Sequence, residues 1–87
     1  MNDEEILSAL RSEQGRLNAV ELAELLNTLT NGGLSQGAII TYFKRAFPGI
    51  PLRVLIEAGG WKRVRSGGDG LSDDDFNGLL GPWLRQA

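Results

Sequence analysis

The chain contains neither cysteine nor histidine among its 87 residues. Without cysteine it can form no disulfide and no thiolate metal site, which is typical of proteins kept in the reducing cytoplasm. Without histidine it has no imidazole metal ligand, no Ser-His-Asp triad and no general base of the usual kind. The composition therefore argues against an enzyme and predicts a cytoplasmic protein that uses no cofactor and no metal.

Long hydrophobic runs are also missing. Uninterrupted apolar stretches such as Val54-Leu55-Ile56 reach only three residues. A membrane-spanning helix needs about 20 apolar residues, and the core of a signal peptide needs about 7 to 15. The sequence thus predicts no membrane partner.

The pattern that is present is helical. Hydrophobic residues make up 41% of the chain, enough for one compact domain over residues 1–87. Apolar residues recur at helical spacing, whereas no stretch alternates as a half-buried strand would. We therefore predict an all-α fold, a compact bundle of five to six short antiparallel helices. A domain of this size has little room for a pocket that buries a small-molecule substrate.

Helix starts are well marked by capping residues. Asn2, Asn18, Ser35 and Ser72 each precede a helical pattern, and Pro51 opens a short helix over 51–58. Gly81-Pro82 lies inside the last pattern and predicts a kink or a division into two pieces, because proline clashes with the preceding turn. Large apolar residues at inward positions include Phe43, Leu52, Leu55, Ile56, Trp61 and Trp83.

The segment 65–70 combines glycine, serine and charged residues, which predicts a surface loop. The aspartates that follow it could bind a divalent cation, but they match no calcium-loop spacing. The favoured interpretation is that they stabilise the positive start of the last helix. The cluster comprises Asp69, Asp73, Asp74 and Asp75.

Charge is unevenly distributed along the chain, although the net charge is only −2. Residues 1–43 carry a net charge of −4, residues 44–65 of +5 and residues 66–87 of −3. This segregation predicts oppositely charged surfaces that join the domain to another protein or to copies of itself. An ordinary solvated surface is the alternative. The predicted basic set is Lys44, Arg45, Arg53, Lys62, Arg63 and Arg65, and the predicted acidic set is Glu21, Glu24, Asp73, Asp74 and Asp75.

Residues 19–47 also resemble a helix-turn-helix, a motif that places its second helix in the major groove of DNA. The turn over 30–34 is longer than the usual three or four residues. The chain is also acidic, whereas nucleic-acid-binding domains are commonly basic, with a pI above ~9. We therefore keep nucleic-acid binding as the alternative to a protein partner. The recognition helix would present Gln36, Gly37, Thr41, Lys44 and Arg45.

Taken together, these features resemble a death-fold module, the class that includes caspase-recruitment domains and bacterial death-like and effector-associated domains. The resemblance lies in chain length, in five to six short helices and in the opposed charges. It extends to the segment AFPGIPLRVLIEAGGW and to the acidic start of the last helix, SDDDFNGLLGPWL. It implies an adaptor that joins proteins through like-with-like contacts, in bacteria within immune or conflict systems.

Overall fold

The computed structural model describes residues 2–64 and 70–85, and these residues form an all-α bundle of five helices. The predicted all-α fold class is therefore confirmed. Five to six helices were expected, and the described residues contain five. Isolated bridges between Gln14 and Leu17 and between Trp61 and Leu71 are the β-type pairings in this part of the chain. The helices are α1 (Asp3–Ser12), α2 (Ala19–Leu29), α3 (Gln36–Ala46), α4 (Leu52–Ala58) and α5 (Asp73–Leu84).

Four of the helices begin at the predicted capping residues. The side chains of Asn2, Asn18, Ser35 and Ser72 each accept a hydrogen bond from a backbone N–H in the first turn that follows. In α2 and α5 the side chain of the third helical residue also accepts a hydrogen bond from the backbone N–H of the cap residue, which completes a capping box. The fourth helix starts one residue later than predicted, because Pro51 is its N-cap.

Apolar side chains from all five helices meet in one core. The helix α3 packs mainly against α4 and α1, while α2 packs against α5 and α1, and α4 also contacts α5. Trp61, Phe43 and Phe76 are the largest side chains that are fully buried. The described residues place no polar or charged residue in this core. Burial of apolar surface is therefore what holds the helices together.

Two predictions about the core are wrong. Leu52 and Ile56 on α4 were expected to point inward, but their side chains are exposed, and Val54, Leu55 and Ala58 fill the interior instead. Trp83 is only half-buried and packs against the edge of the core. In both cases neighbouring residues of the same helix already occupy the inward positions.

The predicted division of the last helix does not occur. The helix α5 continues through Pro82 to Leu84, and Arg85 donates its backbone N–H to the Gly81 carbonyl. Pro82 lies in the final turn, so the hydrogen bond that it cannot donate is one of the last in the helix.

The base of the segment between α4 and α5 is closed by a short backbone ladder. Lys62 donates its N–H to the Leu71 carbonyl at 3.0 Å, and Leu71 donates to the Gly60 carbonyl at 2.9 Å. Gly70 lies against this ladder with a φ of +156°. Most of the predicted loop over 65–70 falls outside the described residues.

Candidate functional site

The predicted basic set lies on three parts of the structure. Lys44 and Arg45 are in the last turn of α3, Arg53 is near the start of α4, and Lys62 and Arg63 directly follow α4. Arg65 lies outside the described residues. The predicted acidic set lies at the start and middle of α2 and in the first turn of α5.

The two cations of α3 take part in contacts within the chain. Lys44 donates from Nζ to the carbonyl oxygens of Pro48 and Ile50, at 3.2 and 2.8 Å. Arg45 lies 3.6 Å from the Asp3 carboxylate of α1. These contacts connect the end of α3 to the turn that follows it and to the start of α1.

Arg63 connects the segment after α4 to α2. Its Nη1 lies 3.6 Å from Glu24 Oε1, and its guanidinium lies 4.8 Å from the centre of the Trp61 ring. A cation over the face of an indole is attracted by the negative face of the ring. One member of the predicted basic set is therefore paired with one member of the predicted acidic set.

Other members of the acidic set stabilise helix ends. Glu21 and Asp75 complete the two capping boxes, and Asp73 accepts a hydrogen bond from Trp61 Nε1 at 2.8 Å. Asp74 makes no such contact with the part of the chain that the structure describes. The contacts of Asp73 and Asp75 agree with their interpretation as part of a helix start, whereas Asp69 lies outside the described residues. Residues 2–64 and 70–85 contain no group of three or more acidic side chains placed so that it could hold a metal ion.

The basic segment thus approaches carboxylates of one flanking acidic segment, residues 1–43, at two places, Arg45–Asp3 and Arg63–Glu24. Arg53 and Lys62 are the members of the basic set that have neither a carboxylate nor a carbonyl partner for their side chains among the described residues. Both are exposed. Less unpaired charge is therefore available for a partner than the sequence suggests.

An apolar face lies on the outer side of α4. Leu52 is 50% exposed and Ile56 is 58% exposed, and they are the large hydrophobic side chains that the described residues leave open to solvent. The two residues are one helical turn apart, so their side chains are neighbours on the helix surface. We call this pair the α4 apolar face.

Ile40 and Gln36 of α3 border the C-terminal end of this face. Both side chains lie beside Gly59, the residue that ends α4, and Gln36 donates a hydrogen bond to the Gly59 carbonyl. The face is therefore held in place by α3 and does not stand alone on a detached helix.

Angular spacing along α4 separates this face from the residues that fill the core. At about 100° per residue, Val54, Leu55 and Ala58 fall within an arc of roughly 100°. Leu52 and Ile56 fall outside this arc, toward solvent. Because α4 carries apolar residues on both sides, its sequence alone does not show which side is buried, and the prediction that Leu52 and Ile56 point inward was therefore wrong.

No family model, curated protein or solved structure matches this chain. None of the five helices in the described part of the chain has the length and the apolarity to cross a membrane.

The arrangement of α2 and α3 does not favour the helix-turn-helix alternative. These two helices make at most slight contact with each other, because each packs mainly on other helices. Two side chains expected to contact DNA, those of Gln36 and Lys44, donate to carbonyl oxygens of the protein. Arg45 faces an aspartate.

Tyr42 provides a direct test of the contact between α1 and α3. Its hydroxyl donates to Asp3 Oδ1 at 2.8 Å, and this hydrogen bond is the main cause that raises the pKa of Tyr42 above its usual value. Because the folded state holds the phenol proton more tightly than the unfolded chain, this contribution to stability is complete below pH ~10 and is lost as the pH rises through the folded pKa.

We predict that Asp3→Asn lowers the pKa of Tyr42, because the amide is a neutral and weaker acceptor. Tyr42 is the single tyrosine of the chain, so absorbance at an ultraviolet wavelength specific for tyrosinate follows it alone. Glu4→Gln, an exposed change on the same turn of α1, is the control and should leave the titration unchanged. An equal pKa in the parent protein and in Asp3→Asn would contradict the assignment.

Proposed function

We propose that this chain is a protein-interaction domain whose partner binds on the α4 apolar face. The observation that carries the proposal is the exposure of Leu52 and Ile56 side by side on α4. Single exposed apolar residues are common on soluble proteins, but adjacent large ones on a helix are the usual anchors of helix-mediated contacts. No comparable pair is open to solvent elsewhere in residues 2–64 and 70–85.

About half of the Leu52 and Ile56 side chains remains in contact with water, and this exposed surface favours binding of a partner. Complete burial of a leucine or isoleucine side chain is worth about 1.5–3 kcal/mol relative to full exposure. About half of that remains unrealised at each of the two positions in the isolated chain. A partner that covers the face would recover this free energy, so the face favours association.

The unpaired cations near α4 add to this surface. Arg53 is on α4 itself, and Lys62 follows the helix within a few residues. Charges around an apolar contact contribute mainly to orientation and to the rate of encounter. The proposed surface thus retains part of the predicted basic set, while the charges that already have partners contribute less.

An adaptor role in a signalling assembly is part of the proposal. It is what the resemblance to death-fold modules implies, and a small helical domain with an open apolar face on α4 is compatible with it. In bacteria the assembly would belong to an immune or conflict system.

A photo-crosslinking experiment tests the proposed surface. A benzophenone amino acid replaces Ile56 in one variant and Ser8, an exposed residue on α1, in a control variant. Irradiation of cells that produce each variant should give a discrete protein adduct from position 56 and none from position 8. The adduct should disappear when Leu52→Asp is added, because a buried carboxylate opposes an apolar contact.

The opposite result would overturn the proposal. If position 56 gives no protein adduct beyond those obtained from position 8, then the α4 apolar face is not a binding surface. An adduct that persists unchanged with Leu52→Asp would assign the contact to a different surface and would contradict the proposal equally.

A further inference from the structure

We infer that the partner of the α4 apolar face is a second copy of this chain, bound about a two-fold axis with the two α4 helices antiparallel. This inference rests on the proposed function, because it names the occupant of the same surface. It is carried by the arrangement of Arg53 and Glu57, the two charged residues of α4.

Arg53 and Glu57 are exposed and lie together on one side of the α4 apolar face. At about 100° per residue they share a stripe that is separate from the inward residues Val54, Leu55 and Ala58. Neither charge has an opposite charge as partner within residues 2–64 and 70–85. The surface of α4 therefore consists of an apolar stripe with a charged stripe beside it.

The order of the two charges also matters. A helix gains more from an acid four residues before a base than from the reverse order, and α4 has the base first. An ion pair between Arg53 and Glu57 of the same helix would therefore have the weaker of the two possible orientations. Both side chains remain available to a charge on another molecule.

An antiparallel copy supplies such charges in the required positions. In a two-fold contact Leu52 of one copy lies against Ile56 of the other, and Arg53 of one copy lies near Glu57 of the other. The symmetry axis generates each contact twice, since an isologous interface uses the same surface on both partners. A parallel two-fold arrangement would instead place the two charged stripes on opposite sides of the contact, where Arg53 and Glu57 have no charged partner on the other copy.

The contact is small, so the dimer is expected to be weak and to exchange rapidly. Two large apolar side chains from each copy form its centre, and contacts of less than about 1,200 Å² of total buried area belong to the transient class. Dimerisation should therefore depend on concentration, and it should be followed by sedimentation velocity up to about 1 mM protein.

Charge reversal provides a test that a general effect on solubility would not mimic. Arg53→Glu gives a face with two acids, and Glu57→Arg gives a face with two bases. Each variant alone should dimerise about tenfold more weakly than the parent protein. An equimolar mixture of the two should form a heterodimer at least as strong as the parent dimer, because every facing pair is again opposite in charge.

Two further variants serve as controls. Ile56→Asp should abolish the dimer, and it should keep the circular dichroism of the parent protein because the side chain is already exposed. Glu4→Arg changes the net charge as much as Glu57→Arg does, at an exposed position on α1. It should leave the dimer unchanged.

The possible failures are distinguishable. A parent protein that stays monomeric up to about 1 mM, or charge variants that do not recover on mixing, would overturn the inference of a second copy. If crosslinking from position 56 still gives an adduct with a different protein, the proposed function stands and only the occupant is wrong. If crosslinking gives no adduct either, both proposals fail.

Discussion

Replacement of Trp61 by alanine should reduce the free energy of unfolding by about 3–5 kcal/mol, the largest loss that we expect from one substitution. Small domains have a total stability of about 5–15 kcal/mol, so this single change removes much of it. Trp61 is 0% exposed and lies where α2, α5 and the segment after α4 meet.

Three separate contacts explain the size of this effect. The indole ring stacks on Phe76 of α5, with ring centres 4.1 Å apart and an angle of 19° between the planes. Its Nε1 donates to Asp73, and its face contacts the guanidinium of Arg63. Loss of the ring would leave a large cavity and would also remove the connection between Arg63 and the core.

Chemical denaturation followed by far-ultraviolet circular dichroism measures the effect. Trp83→Ala is the matched control: the same side chain is removed from a partly buried position, so the loss should be smaller than for Trp61→Ala. Trp61→Phe should have an intermediate effect, because the stack is kept while the hydrogen bond to Asp73 is lost. Equal losses for Trp61→Ala and Trp83→Ala would contradict the assignment of Trp61 to the core.

Replacement of Gly70 by alanine should destabilise the protein by about 1–3 kcal/mol, although it adds only one methyl group. A Cβ at this position would lie against the carbonyl oxygen of Gly60, far inside van der Waals contact. That oxygen accepts the hydrogen bond from Leu71 that closes the base of the segment between α4 and α5. The backbone would have to move, and the closing ladder would be disturbed.

Gly78→Ala is the control, and it should raise the stability of the protein instead of lowering it. Gly78 lies inside α5, and a Cβ there meets nothing within 4 Å. Alanine should therefore stabilise the helix by about 0.5–1 kcal/mol. Thermal unfolding measures the melting temperatures of Gly70→Ala and Gly78→Ala, which should lie below and above that of the parent protein. A Gly70→Ala protein as stable as the parent would show that the ladder between Gly60, Lys62 and Leu71 does not form.

Most of the helical architecture is readable from local sequence. Asn18 with Glu21 and Ser72 with Asp75 have the spacing of a capping box, and both boxes form. Such contacts involve residues three positions apart, so they depend little on the rest of the fold. The same holds for the all-α fold class, because helical periodicity is a local property.

The candidate site could not be read in the same way. The positions of Leu52 and Ile56 were misjudged because a seven-residue helix with apolar residues on two sides has no single inward face. Which side is buried depends on where α3 and α5 lie. The pairing of Arg63 with Glu24 could not be predicted from the sequence either, because these residues are far apart along the chain. The contact exists only because the fold places α2 beside the end of α4.

The sequence by itself determined where helices begin, that no disulfide or imidazole chemistry is available, and that charge is segregated along the chain. Only the tertiary structure decided that Trp61 is central while Trp83 is peripheral, that Arg45 and Arg63 lie beside carboxylates, and that α4 keeps an apolar side open to solvent. The physical reason is range: caps and periodicity arise from interactions within one or two helical turns, whereas burial and ion pairing depend on how distant segments pack.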